Sequence, residues 1–170
     1  EILRVEDLKK YFATKKGTLH AVDGVTFTVD AGKTLGIVGE SGSGKSVSSF
    51  SILKLIEPPG VVESDKILFR GEDISKKSER EMMKTRGKAI SMVFQDPLTA
   101  LNPSMTIGAQ IAEAVRVHDR KAPREAVSAR VEELMALVGI DRAAERMHAY
   151  PHQFSGGMRQ RAVLAIALAG

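Results

Sequence analysis

Gly39-Glu40-Ser41-Gly42-Ser43-Gly44-Lys45-Ser46 is the stretch on which the fold turns. It fits the pattern G-x-x-x-x-G-K-[S/T] at every defined position. Glycines let the main chain double back and approach a bound group with no Cβ in the way. Successive backbone N–H groups then form a concave anion cradle that needs no counter-charge. Before the loop, Leu35-Gly36-Ile37-Val38 is a short apolar run that reads as a buried central strand. After it, a helix is expected from about Lys45 to Ile56, stopped by Pro58-Pro59-Gly60. The loop would thus open a helix, whose N-terminus favours negative charge. Strand, loop and helix together point to a polyphosphate ligand. Lys45 would face its β and γ phosphates, and the Ser46 hydroxyl would reach Mg²⁺.

Composition limits what surrounds this unit. The 170 residues suffice for one domain, and 43% hydrophobic with 27% charged residues suits a globular protein. There is no cysteine, so disulfides, thiolate metal sites and cysteine nucleophiles are excluded. The first residues, Glu1-Ile2-Leu3-Arg4-Val5, lack the basic start and apolar block of a secretory signal. The longest apolar run, Ala162 to Ala169, is eight residues, against the roughly twenty that span a bilayer. Contact with a membrane is therefore expected through a partner. The net charge of +4 comes from basic residues spread along the chain, with no basic stripe interleaved with aromatics, so a nucleic-acid partner is not expected.

Further strands are expected at Val25–Val29, which alternates, at Ile67–Phe69 before the Gly71-Glu72-Asp73 turn, and at Ile90–Phe94. Ser78 with Glu81 three residues on forms a capping box for a short helix. Ile107, Ile111 and Ala114 make one helical stripe, and Val127, Val131, Leu134 and Val138 another, with Pro123 near its start and Gly139 just past its end. The chain reads as a β-rich first third, a β-α unit and a mostly helical second half.

A second anion-binding element stands at Phe154-Ser155-Gly156-Gly157-Met158-Arg159-Gln160-Arg161, leading into a helical run. Ser155 takes the N-cap position, and Gly156 and Gly157 expose N–H groups at a helix start. This segment resembles the signature motif of ABC ATPases, usually written L-S-G-G-Q. Phe154 and Met158 depart from that consensus toward the F-S-G-G-M form of oligopeptide and dipeptide importers. Between the two anion sites, Val93-Phe94-Gln95-Asp96-Pro97-Leu98-Thr99-Ala100-Leu101-Asn102-Pro103 is similar to the Q-loop region of the same importer branch. Its Asp-Pro and Asn-Pro pairs favour turns, and the Gln95 amide oxygen can reach Mg²⁺ or the attacking water. The N-terminal Asp7-Leu8-Lys9-Lys10-Tyr11-Phe12 resembles the family's A-loop, whose ring stacks on adenine. Counting back from Ala21-Val22-Asp23-Gly24-Val25 places Phe12 there, with Tyr11 the alternative and packing under a sheet the other reading of the ring.

The resemblance covers the whole chain and implies an α/β, P-loop NTPase fold: an ABC-type nucleotide-binding domain with an antiparallel β subdomain and a helical subdomain. The expected divisions are 1–75 for the β subdomain and phosphate-loop unit, 76–89 for a connecting helix, 90–95 for a core strand and the Q-loop, and 96–170 for the helical subdomain. It implies ATP and Mg²⁺ as ligands, with Gly39, Glu40, Ser41, Gly42, Ser43, Gly44, Lys45, Ser46, Gln95 and Phe12 on the chain's own nucleotide. Ser155, Gly156, Gly157 and Met158 would touch the nucleotide of a second ATP-binding subunit. It also implies transmembrane permease subunits, an indirectly coupled substrate-binding protein, and a place on the cytoplasmic face of the cell membrane. The branch it resembles handles peptides, and relatives carry nickel or glutathione, so the resemblance leaves the cargo open among these.

In the family, a Walker B Asp, a Glu base and a switch His follow the signature. No Asp or Glu occurs here after Glu145, and His20, His118, His148 and His152 all precede the signature. No catalytic residue is therefore expected in this stretch, and residues 1–170 alone are expected to turn over negligible ATP. The strands at 35–38 and 90–94 are expected to carry unpaired edges, as in a fragment of a longer product. Two other functions fit less of the pattern: a non-catalytic nucleotide-binding fragment, and a soluble ABC ATPase working on nucleic acid or the ribosome.

Overall fold

Leu3–Thr14 forms strand β1 in the computed structural model, which describes residues 1–170 apart from 57–59, 65, 95 and 97–99. The chain divides into two compact units, Glu1–Met83 and Lys84–Gly170.

In the first unit β1 lies at the centre of an antiparallel sheet. Strand β2 (Gly17–Val29) pairs with it from Leu3 opposite Val29 to Thr14 opposite Gly17. The far edge of β1 is shared: β3 (Gly60–Glu63) lies along Lys9–Phe12 and β4 (Lys66–Phe69) along Leu3–Glu6. Strand β5 (Glu72–Asp73) completes the order β2-β1-β4-β5 through a tight turn in which Arg70 and Gly71 have φ 50° and 83°. Two consecutive left-handed residues suit the twist of a two-residue hairpin.

Strict alternation would put Val5 and Leu8 on opposite faces, yet both are fully buried. The register shifts between them, and Asp7 takes φ 48°. One extra residue restores the apolar side chains to a common face, as a β-bulge does. Asp7 tolerates the left-handed backbone, and its N–H donates to Thr26 Oγ1 at 3.0 Å. Beyond the bulge Leu8, Lys10 and Phe12 follow at spacing two, while Lys9 and Tyr11 take the opposite face.

Helix α1 (Lys45–Ile52) packs on β1 and buries Ser48, Ser51 and Ile52. The buried hydroxyls donate back one turn, Ser48 to the Gly44 carbonyl at 3.0 Å and Ser51 to the Val47 carbonyl at 2.7 Å, so small side chains are buried without an unpaired oxygen. The helix ends earlier than the predicted Ile56. Lys54 adopts φ 52°, its N–H donates to the Ser51 carbonyl, and the Leu55 N–H donates to the Phe50 carbonyl. That pair of bonds is a Schellman stop. Pro58 and Pro59, the expected breakers, lie outside the described residues. Helix α2 (Glu79–Thr85) begins at the Ser78–Glu81 pair read from the sequence, with the glutamate half of the capping box formed: the Ser78 N–H and hydroxyl donate to Glu81 Oε2 at 2.8 and 2.6 Å, while the Glu81 N–H donates to the Ser78 carbonyl at 3.1 Å.

Two expected strands do not form. Residues 35–38 and 91–94 carry no ladder among the described residues, and Ile90 makes only an isolated parallel bridge to Arg86. Leu35, Ile37 and Val38 are 43%, 48% and 93% exposed, so this run is not the buried central strand its composition suggested. The physical reason is that an apolar run becomes a sheet strand only where a neighbour supplies both the hydrogen-bond ladder and the covering face.

The second unit is helical: α3 (Ile107–His118), α4 (Arg124–Leu137), α5 (Ala143–Arg146), a 3₁₀ turn (Pro151–Gln153) and α6 (Gly156–Ala167). The predicted stripes meet in its core, where Ile107, Ile111, Val127, Val131 and Leu134 are buried beside Phe154 and Ala162, with Ala114 and Val138 partly buried at its margin. Gly139 takes φ 78° just past α4, as its position implied, and its carbonyl accepts from Arg161 at 2.8 Å. The buried Gln110 amide is satisfied by the main chain: its oxygen accepts from the Asn102 N–H at 2.8 Å and its nitrogen donates to the Asn102 carbonyl at 3.0 Å.

Candidate nucleotide site

The phosphate loop reaches α1 through two left-handed glycines, Gly42 at φ 82° and Gly44 at φ 86°. Gly44 could not be replaced without movement, because a Cβ there would run into the Ala21 carbonyl oxygen of β2 and approach Val22 Cγ2 at 3.3 Å. The loop is therefore seated on the sheet by the absence of a side chain. At Gly39 a Cβ would lie 2.5 Å from Ser43 Oγ, so the two ends of the loop also meet closely. Lys45 Nζ donates to the carbonyls of Gly39 at 2.8 Å and Glu40 at 2.6 Å, and to Ser43 Oγ at 3.2 Å. Three oxygens thus hold the ammonium at the mouth of the loop.

A cavity of about 160 Å³ lies here, lined by Ala21, Gly42, Ser43, Gly44, Lys45, Ser46 and Val47. Its lining contains no carboxylate, and the first turn of α1 has no acidic residue. A helix N-terminus, a lysine and two hydroxyls, with no carboxylate in the lining, form a site whose charge suits an anion. Glu40 and Ser41 are exposed, and so is Ser46.

Phe12 and Tyr11 lie on opposite faces of β1 and in different company. The Tyr11 hydroxyl donates to Asp23 Oδ1 at 3.1 Å, and its ring centroid is 4.3 Å from that of His20. Burial first, and then the Asp23 bond, hold the Tyr11 phenol above its ordinary pKa. Phe12 is partly buried on the other face, with Lys10 Nζ 4.6 Å from its ring centroid. Lys10 pairs across the sheet with Val22, the residue that Gly44 approaches. One sheet face therefore runs from Phe12 through Lys10 and Val22 to the phosphate loop. Lys10 was missed in the sequence, although spacing two from Leu8 to Phe12 signals a lysine on an apolar face.

In the second unit Ser155 caps α6, accepting from the Met158 N–H at 3.3 Å. Phe154 is only 4% exposed and anchors this tip in the core, while Ser155, Gly156 and Gly157 are exposed. A Cβ at either glycine would meet nothing within 4 Å. Met158 is partly buried, its sulfur 3.4 Å from Arg146 Nη1, and Arg159 Nε donates to the Pro151 carbonyl at 2.8 Å. Gln95 lies outside the described residues, as do residues 97–99. No described helix is long and apolar enough to cross a membrane.

The family described as ABC transporter matches residues 22–170. The oligopeptide transport ATP-binding protein OppD of Bacillus subtilis (strain 168) is 52% identical over 169 residues, 99% of this chain and 47% of that protein. The dipeptide transport ATP-binding protein DppD of the same organism is 48% identical, over 99% of this chain and 50% of its own length. The chain thus spans about half the length of the curated relatives it matches. Among solved structures, the dimeric structure of MJ0796, a bacterial ABC transporter cassette, superposes with a TM-score of 0.84 at 25% identity, covering 98% of this chain and 69% of that one. With a phosphate loop seated on its own sheet, a serine-capped Ser-Gly-Gly helix start and a family match across both, the chain belongs to the ABC transporter family.

Proposed function

We propose that this chain is the ATP-binding part of a subunit that powers uptake of peptides or related small solutes. The observation that carries the reading is the loop at 39–46, whose glycine backbone, lysine and helix start surround a cavity free of carboxylates. Triphosphate fits that chemistry, with the loop N–H groups and Lys45 on the phosphate oxygens. Mg²⁺ fits as an ion carried with the nucleotide, because it is held mainly by phosphate oxygens and water and needs few protein ligands. The exposed Ser46 hydroxyl on the cavity wall is the one we assign to it, with Gln95 as the second. Among the described residues no cluster of three His, Asp or Glu stands ready to hold a metal by itself.

Phe12 is the platform for the base in this reading, since Tyr11 is already engaged by Asp23 and His20 on the opposite face. Ser155, Gly156, Gly157 and Met158 present a second anion-binding tip, which we assign to the nucleotide of a partner ATP-binding subunit. The dimeric form of the bacterial cassette supports such a pairing, and the names of the relatives support peptides as cargo. Permease subunits in the cell membrane, fed by a substrate-binding protein, complete the proposed assembly at the cytoplasmic face. No carboxylate that could take a proton from water lines the loop cavity, so the role assigned to these residues is binding rather than the chemical step.

Titration of the full-length protein with a fluorescent ATP analogue tests the proposal. Saturable binding that Lys45→Ala weakens is expected, and binding indifferent to Lys45 would overturn it.

A further inference from the structure

Lys10 is fully buried in the first unit, and its Nζ is the one buried side-chain nitrogen or oxygen among the described residues with no hydrogen-bond partner. An unpaired buried ammonium is costly, and a methionine of similar length would avoid that cost. Burial accordingly pulls the Lys10 pKa below the ordinary lysine value. The group that does face the ammonium is the Phe12 ring, 4.6 Å away at its centroid and within cation–π range. Lys10 also sits opposite Val22 on β2, next to the seat of the phosphate loop. A cation on one face of an aromatic ring fixes the ring's orientation. It also draws π density toward itself, which favours an electron-rich purine on the face that remains.

From this arrangement we infer that Lys10 is a positioning residue for the adenine base: its buried ammonium holds the Phe12 ring from behind and leaves the other face for stacking. The inference rests on the reading of Phe12 as the base platform. It explains why a cation stands where stability alone favours an apolar side chain, a trade of stability for function.

The test uses the full-length protein with Lys10→Met, Lys10→Arg, Phe12→Ala and the Met/Ala double variant. Three quantities are read: affinity for a ribose-labelled ATP analogue, affinity for tripolyphosphate by competition, and Tm without nucleotide. Lys10→Met is expected to weaken the ATP analogue about five-fold. Tripolyphosphate affinity should be unchanged and Tm equal or higher. Lys10→Arg should retain most of the affinity, and on a Phe12→Ala background the Lys10→Met change should have no further effect.

A Lys10→Met protein that binds the analogue as wild type does, while Phe12→Ala weakens it, overturns the inference and leaves the base platform standing. Unchanged affinity in Phe12→Ala removes the platform and the inference with it. Equal losses of ATP and tripolyphosphate affinity, or a lower Tm or failure to fold in Lys10→Met, would show that Lys10 serves the fold instead.

Discussion

An added Cβ at Gly44 would run into the Ala21 carbonyl, whereas at Gly156 or Gly157 it would meet nothing within 4 Å. Both places are glycine-bearing helix starts with no acidic residue in the first turn. Their glycines answer different needs. In the phosphate loop, glycine is demanded by the chain's own neighbours and by φ 86°, so the cradle is built by the first unit itself. At the α6 tip the backbone is in ordinary helical geometry on open surface, and only an approaching molecule would register the missing side chain. Glycine that the fold needs and glycine that the fold leaves in open space look alike in sequence and differ in contact.

Substitutions can break or sharpen that contrast. The largest effect is expected from Gly44→Ala, where φ alone costs about 1–2 kcal/mol and the Ala21 contact adds to it. Thermal unfolding should show a clear loss of stability, and nucleotide titration no saturable binding. Lys45→Ala should leave stability nearly unchanged while weakening the ATP analogue about 10- to 100-fold, the worth of a strong charge-assisted contact. Ser155→Ala removes the α6 cap and should cost about 1 kcal/mol in unfolding free energy. It should not change the affinity of the phosphate loop in the monomer.

Gly157→Ala is the smallest case. Stability should hold or rise by up to about 1 kcal/mol, since alanine favours a helix. Loop affinity should be unchanged, and the loss should appear only as slower nucleotide turnover in the assembled transporter. A large destabilisation by Gly157→Ala would erase the distinction between the two glycine sites.

Much of this was legible because it is local. The loop pattern, the Ser78–Glu81 capping box, the α3 and α4 stripes and the Ser155 cap each depend on residues within a few turns of one another. Features set by distant neighbours were not. Leu35–Val38 reads as a buried strand by composition, but burial requires a ladder partner that no local pattern supplies. Helix α1 is stopped by Lys54 in a left-handed conformation just past its C-cap, which lysine does not signal as glycine would. The bulge at Asp7 depends on keeping Val5 and Leu8 on one face of β1, and is evident only once β2 and β4 are in place. The candidate site shows the same division: the Gly39–Ser46 pattern is readable in sequence, while the Ala21 seat and buried Lys10 required the sheet.

The most direct measurement is amide NMR of the full-length protein with labelled glycine and serine, titrated with magnesium tripolyphosphate. The N–H signals of Ser41 through Gly44 and of Ser46 should shift along one saturable curve, while those of Gly156 and Gly157 stay in place in the monomer. Loop amides that remain unmoved while the ligand binds elsewhere would contradict the claim that this backbone holds the phosphates.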